Sequence, residues 1–303
     1  MGTRLHPGFR LGRFEIESLI GSGVTSDVYR ARDTQSRRAV AIKVLSGSMT
    51  NDTTRLARFI NEARTTALIT HPNIVAVYDA GMDGGRPFVV LELLEGETLR
   101  ARMNRGRLAA PVAMQYALDI VHGLIAAHHL GIVHRDLKPE NVFVSTGGHL
   151  KILDFGLASC GQEAIGLLSA DAKSTHPGAI LGSVGYMSPE QVRGGIADER
   201  SDIFSLGVIL YEMIAGVRPF REDTPIETLY AIMKHDRRPL PVDADITPDV
   251  EHVINHCLEK QPSARFQSAR DLAFVIEFTL RAPAAVRRPV PARRLLQSVL
   301  QRF

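Results

Sequence analysis

The chain has 303 residues, 45% of them apolar and 23% charged, the composition of a globular protein with enough chain for one large or two ordinary domains. No run approaches the roughly 20 apolar residues of a membrane span, and the N-terminus lacks the charged-then-apolar pattern of a secretion signal, so a cytoplasmic protein is expected, membrane-associated if it belongs to a longer chain. The net charge of +3 comes from the end, where residues 282–303 hold five arginines and no acid; the remainder, at about −2, offers no footprint for nucleic acid.

Residues 1–13 read as a short irregular lead-in. From Phe14 the pattern is that of strands: Phe14, Ile16, Leu19 and Ile20 lead into Gly21-Ser22-Gly23-Val24-Thr25-Ser26-Asp27-Val28. A glycine turn between two strands lets backbone N–H groups approach an anion closely. Val40-Ala41-Ile42-Lys43-Val44 is an apolar strand interrupted by one lysine, and a half-buried lysine needs an acid or a phosphate beside it. A helix is predicted over 53–69, with Leu56, Phe59, Ile60, Ala63 and Ala67 on one face and Glu62 within it. Pro72 ends it, because proline disfavours helical geometry in the residue before it. Strands follow over 74–78 and 88–93, joined by a glycine-rich turn at 81–85.

From Thr98 the character changes to helices. The stretch 111–130 carries Ala113, Ala117, Ile120, Leu124 and Ala127 on one stripe, with Gly131 as its C-cap. It delivers His134-Arg135-Asp136-Leu137-Lys138-Pro139-Glu140-Asn141, a charged run between apolar flanks, which suits a loop pinned between buried elements. Asp136 can accept a hydroxyl proton, Lys138 can face a transferring phosphoryl group, and Asn141 can hold a metal through its amide oxygen. A strand over 150–153 leads into Asp154-Phe155-Gly156, and a long, small and polar stretch over 157–187 closes on Ser188-Pro189-Glu190. The helix predicted over 201–215 is apolar almost all round and stops at Gly216. Helices near 226–234, 249–258 and 268–280 follow. The two cysteines, Cys160 and Cys257, provide neither a disulfide framework nor a metal spacing. The tail over 282–303, with Pro283, Pro289 and Pro291, reads as a linker; the alternative is a short basic amphipathic helix through Leu295, Leu296, Val299, Leu300 and Phe303, the one route to membrane contact.

The run from His134 to Asn141 resembles the catalytic loop H-R-D-L-x-x-x-N of protein kinases at every fixed position. The glycine turn resembles G-x-G-x-x-G-x-V with Ser26 in place of the third glycine; Val40 to Lys43 matches V-A-I-K, Asp154 to Gly156 matches D-F-G, and Ser188 to Glu190 stands where many kinases have A-P-E. The serine variant followed by Gln191 is similar to the bacterial serine/threonine kinases. That resemblance implies an α+β, bilobal fold, with a β-rich N-lobe over 14–94 holding one regulatory helix and a mainly helical C-lobe over 95–281.

The resemblance also implies roles. Asp136 is the catalytic base, supported by Lys138, and Lys43 reaches the ATP phosphates while pairing with Glu62. Asn141 and Asp154 hold Mg²⁺, with Mn²⁺ as a substitute. Gly21, Ser22 and Gly23 cover the phosphates; Ile20, Val28, Ala41 and Phe143 sandwich the base; Leu91 is the gatekeeper, and Glu92 and Leu94 offer backbone groups to adenine. Asp202 bonds the backbone of the catalytic loop, and Arg265 pairs with Glu190. Arg135 is a docking point for a phosphate on Ser174 or Thr175 of the activation segment. His134, Phe155, Val77 and Thr66 fall on the apolar column of active kinases, where threonine fits poorly, so a weakly held helix that needs phosphorylation, a partner or a dimer is expected. The implied activity is transfer of the γ-phosphoryl of Mg-ATP to serine or threonine hydroxyls of protein substrates; the alternative is a nucleotide-binding pseudokinase scaffold.

Overall fold

A computed structural model describes residues 4–23, 26–45, 63, 65–155, 184–241 and 246–281. The strand over Ala39–Leu45 shows how the first sheet is built. Val40, Ile42 and Val44 point to one face and are buried, while Ala41 and Lys43 point to the other, as the two-residue period of a strand requires. Six antiparallel strands, β1 (Arg10–Leu11), β2 (Phe14–Ser22), β3 (Ser26–Asp33), β4 (Ala39–Leu45), β5 (Val77–Asp83) and β6 (Arg86–Glu92), lie in the order β1-β2-β3-β4-β6-β5. One face packs Leu5, Leu11, Phe14, Ile16, Tyr29, Ala31 and Phe88 onto the buried side of β4. The cross-strand pairs Val28↔Lys43 and Ala41↔Leu91 put Val28, Ala41, Lys43 and Leu91 together on the opposite face.

Two sequence expectations change here. The lead-in is part of the sheet: β1 pairs with β2, and Leu5 and Leu11 enter its core, a contribution too short to show a period. The strand expected over 74–78 begins at Val77 and runs to Asp83. Ile74 makes only an isolated bridge to Ile152, and Val75 N–H donates to the Ile152 carbonyl at 3.0 Å. The turn between β5 and β6 is accordingly tight, with Gly84 and Gly85 at φ +54° and +75°, the paired left-handed geometry that matches strand twist. Of the helix expected over 53–69 only its last turn lies within the described residues.

A connector from Leu93 leads to β7 (Gly96–Thr98), which pairs with β8 (Val142–Ser145) and β9 (Leu150–Ile152) in a second, three-stranded sheet. Gly96 has φ +144°, and a Cβ there would collide with the Val144 carbonyl oxygen. The remaining elements are helical: α1 (Leu99–Met103), α2 (Ala110–His129), α3 (Pro189–Val192), α4 (Glu199–Ala215), α5 (Pro225–Lys234), α6 (Pro248–Cys257) and α7 (Ala269–Arg281). By length and composition α2 could cross a membrane. Its stripe from Ala113 to Ala127 is instead buried in the core of this half of the molecule. The α4 helix is capped by the Asp198 carboxylate, is buried from Ser201 through Ala215, and stops at Gly216 with φ +76°, the left-handed residue that commonly ends a helix.

Candidate active site

The loop after α2 is held from below. Asp202, in the first turn of α4, has a fully buried carboxylate that accepts from His134 N–H at 2.8 Å and Arg135 N–H at 2.9 Å, and it also meets His128 Nε2 at 2.8 Å. Arg135 itself sits at φ +66°, a region costly for a residue with a Cβ. Its carbonyl accepts from Gln191 Nε2 at 2.7 Å, so the strained residue is fixed at its own N–H and its own C=O. Gln191 belongs to the capping box that starts α3 with Ser188. The segment after the long polar stretch is thereby tied to the loop. Neither His128 nor Gln191 was singled out for these contacts from sequence, because their partners lie 74 and 56 positions away.

Three of the expected residues form one cluster. Lys138 Nζ lies 2.6 Å from Asp136 Oδ2. Asn141 Nδ2 donates to the Asp136 carbonyl at 2.9 Å and to its carboxylate at 3.2 Å, which turns the amide oxygen of Asn141 away from the loop. Leu153 N–H donates to the Asn141 carbonyl at 2.8 Å, and this bond brings the Asp-Phe-Gly run alongside. Asp154, at φ +53°, pairs through Oδ2 with Lys43 Nζ at 2.7 Å. The lysine of β4 and the acid after β9 thus close the cleft between the two sheets. The Phe155 ring lies 4.9 Å from that of His134.

Above this cleft, Gly21 and Ser22 pair with Val28 and Asp27, Ser22 Oγ donates to Asp27 at 2.6 Å, and Gly23 N–H donates to the Ser26 carbonyl at 2.8 Å. Ile20, Ser22 and Gly23 are exposed, Val28 and Phe143 half-buried, and Ala41 buried. Glu92 ends β6, and Leu94 lies in the connector that follows it. The Glu92 carboxylate accepts from Lys151 Nζ at 2.9 Å and Ala76 N–H at 3.3 Å, and its own N–H donates to the Ala76 carbonyl at 2.9 Å. The resemblance gives Glu92 a backbone role alone; its side chain fastens the end of β6 to β9. Glu62, Ser174 and Thr175 lie outside the described residues.

Thr66 was expected to weaken an apolar column. It is buried instead, and its hydroxyl donates to the Phe155 carbonyl at 3.0 Å. Two further networks surround the site. Arg100 of α1 bonds Glu140 at 2.8 Å and Glu212 at 3.0 Å and also meets Tyr186, which in turn bonds Glu212. Burial pushes the Tyr186 phenol up, reinforced by the Glu212 charge. Arg265, fully buried, binds both Glu190 oxygens at 2.8 Å. Burial alone would raise the Glu190 carboxyl, but the Arg265 and Ser201 hydrogen bonds and the Arg265 charge outweigh it and hold it down at about 2.

The protein kinase domain family matches residues 14–273. The chain belongs to that family. The kinase domain is 37% identical over 268 residues to the serine/threonine-protein kinase PknB of Mycolicibacterium smegmatis, covering 86% of this chain and 42% of PknB. It is 38% identical over 297 residues to the serine/threonine-protein kinase PknL of Mycobacterium tuberculosis, covering 97% of this chain and 72% of PknL. A probable serine/threonine-protein kinase of Streptomyces coelicolor is 37% identical over 275 residues, 89% of this chain and 40% of that protein. The chain thus spans about two fifths of the length of two of these relatives. Kinase domains of this family use ATP and a divalent metal on protein substrates. The donor set fits: a carboxylate at Asp154 and the amide oxygen of Asn141 are hard oxygen ligands suited to Mg²⁺.

Proposed function

We propose that this kinase domain transfers the γ-phosphoryl of Mg-ATP to serine or threonine hydroxyls of protein substrates. The observation that carries the reading is the convergence of charged groups on one cleft, Asp136 with Lys138 and Asn141 beside Asp154 on one side and Lys43 reaching Asp154 from the other. Asp136 is placed to orient an acceptor hydroxyl and take its proton, while Lys138 beside it supplies positive charge where the phosphoryl group passes. Lys43 would exchange its bond to Asp154 for the α and β phosphates, freeing the carboxylate as a metal ligand together with Asn141. Mg²⁺, or Mn²⁺ in its place, would neutralise the phosphate charge that develops during transfer. The chain's own share is positioning and fixed charge, the main source of rate in such reactions. Lys138 supports serine/threonine acceptors, since tyrosine kinases generally lack a lysine there.

Arg135 is exposed and held at its N–H and C=O by Asp202 and Gln191, which supports its reading as a dock for a phosphate on Ser174 or Thr175. With Asp136, Asn141, Asp154 and Lys43 all in place, the pseudokinase alternative has no observation in its favour. The decisive experiment is intact mass after incubation with Mg-ATP, with Asp136→Asn as control, followed by peptide mapping. Phosphate on the wild type alone is expected. No phosphate on either, with nucleotide bound, would overturn the reading in favour of the scaffold.

A further inference from the structure

Thr66 stands in the last turn of the helix that precedes Pro72, where Ile69 N–H donates to its carbonyl at 3.0 Å. It is 5% exposed, and its Oγ1 donates at 3.0 Å to the carbonyl of Phe155, a residue 89 positions on. Phe155 is itself buried, with its ring against His134. It follows directly on Asp154, whose φ of +53° is a conformation that surrounding structure must hold. A dispersion contact between apolar side chains tolerates rotation, whereas a hydrogen bond to a carbonyl fixes the direction of that carbonyl. Two polar side chains in this packing reach the backbone around the acid proposed to bind metal, His134 Nε2 at 3.1 Å from the Leu153 carbonyl before it and the Thr66 hydroxyl on the Phe155 carbonyl after it.

We infer that Thr66 is a positioning residue whose hydroxyl clamps the Phe155 carbonyl and thereby holds the Asp154 carboxylate toward Lys43 and the cleft. The clamp stands in for the apolar contact that a kinase would make there, and the inference rests on the proposed phosphotransfer. It has a consequence with a sign. If the threonine were a defect in an apolar column, replacing it with an apolar residue would raise activity. As a clamp, the same replacement lowers it.

The test compares Thr66→Val, which keeps the shape and loses the hydroxyl, with Thr66→Ser, which keeps the hydroxyl, and Thr66→Leu, which supplies the apolar contact. Autophosphorylation rates are measured by intact mass across a MgCl₂ titration at fixed ATP. Hydrogen exchange of the peptide spanning residues 150–155 is followed in the nucleotide-free protein. Loss of one hydrogen bond of ordinary strength corresponds to about a three- to tenfold effect. The Val and Leu variants should need about that much more MgCl₂ for half-maximal rate and exchange faster over 150–155, with Ser within about twofold of wild type on both readouts. Thr66→Ala, free of any steric demand, replaces Val if Val does not fold. Val and Leu at or above wild type, or Ser as impaired as Val, would overturn the clamp while leaving the kinase reading intact. A wild type that incorporates no phosphate would instead remove the kinase reading, and the clamp's function with it.

Discussion

At the scale of single residues, the charged groups of the cleft are recognisable by type, but their partners are not. Lys43 was read as a lysine needing an acid or a phosphate, and among the described residues it finds Asp154 at 2.7 Å. The consequence for Lys43→Met is a kcat/KM lower by about a hundredfold or more, the usual effect of removing one preorganised donor to transferring charge, measured by phosphate incorporation. Glu190 shows the opposite kind of legibility: sequence placed it against Arg265, and only burial sets the size of the effect. Its carboxyl lies at about 2 against an ordinary 4.5. A depressed folded value means that stability is fully present above about 4.5 and is lost as pH falls from there toward 2. The shift corresponds to about 3 kcal/mol. Chemical denaturation at pH 7 and pH 3 should show Glu190→Gln losing less stability between the two than the wild type does.

At the scale of elements, α4 is a platform as much as a core helix. Its Asp202 satisfies two backbone N–H groups of the 134–141 loop, and Asp202→Ala leaves both without that acceptor. A buried unsatisfied donor costs about 1–3 kcal/mol, so a lower Tm is expected together with a fall in phosphate incorporation, read on the same preparation by scanning calorimetry and intact mass. The middle of α4 is packed as tightly as its ends are bonded. A Cβ on Gly207 would come within 2.6 Å of Cys257 Cβ at the end of α6 and 3.1 Å of Leu258 just after it. Gly207→Ala is expected to destabilise by about 1–3 kcal/mol in urea titration through overpacking, without a change in the MgCl₂ requirement. The β-strands illustrate the limit of periodicity. The alternation in β4 was readable because one face is apolar, while 74–78 reads as one strand but divides its backbone bonds between two sheets, Val75 to Ile152 of β9 and Ala76 to Glu92 of β6.

At the scale of the whole molecule, the site is a cleft between two sheets, joined among the described residues by the chain that follows β6, the Lys43–Asp154 and Glu92–Lys151 pairs, the Thr66–Phe155 bond and the hydrogen bonds of Asn73 and Val75 to β9. A ligand that bridges both sides stabilises the fold by mass action. Mg-ATP at about a hundred times its Kd should add about 2.7 kcal/mol, visible as a rise in Tm that Lys43→Met reduces. Apolar period was sufficient for most of the elements around the 134–141 loop, and the motifs in order carried the resemblance that implied the α+β class and nominated Asp136, Lys138, Asn141, Lys43 and Asp154, because motif and period are local properties. Three things only the tertiary structure decided: that the lead-in joins the first sheet, that Glu92, Gln191 and His128 brace the site, and that Thr66 is a bonded rather than a misfitted residue. The bracing contacts and the Thr66 bond depend on partners 16 to 89 positions away, brought within 3.3 Å by the packing of sheets and helices, a distance no period in the sequence records, and β1 is too short to show a period at all.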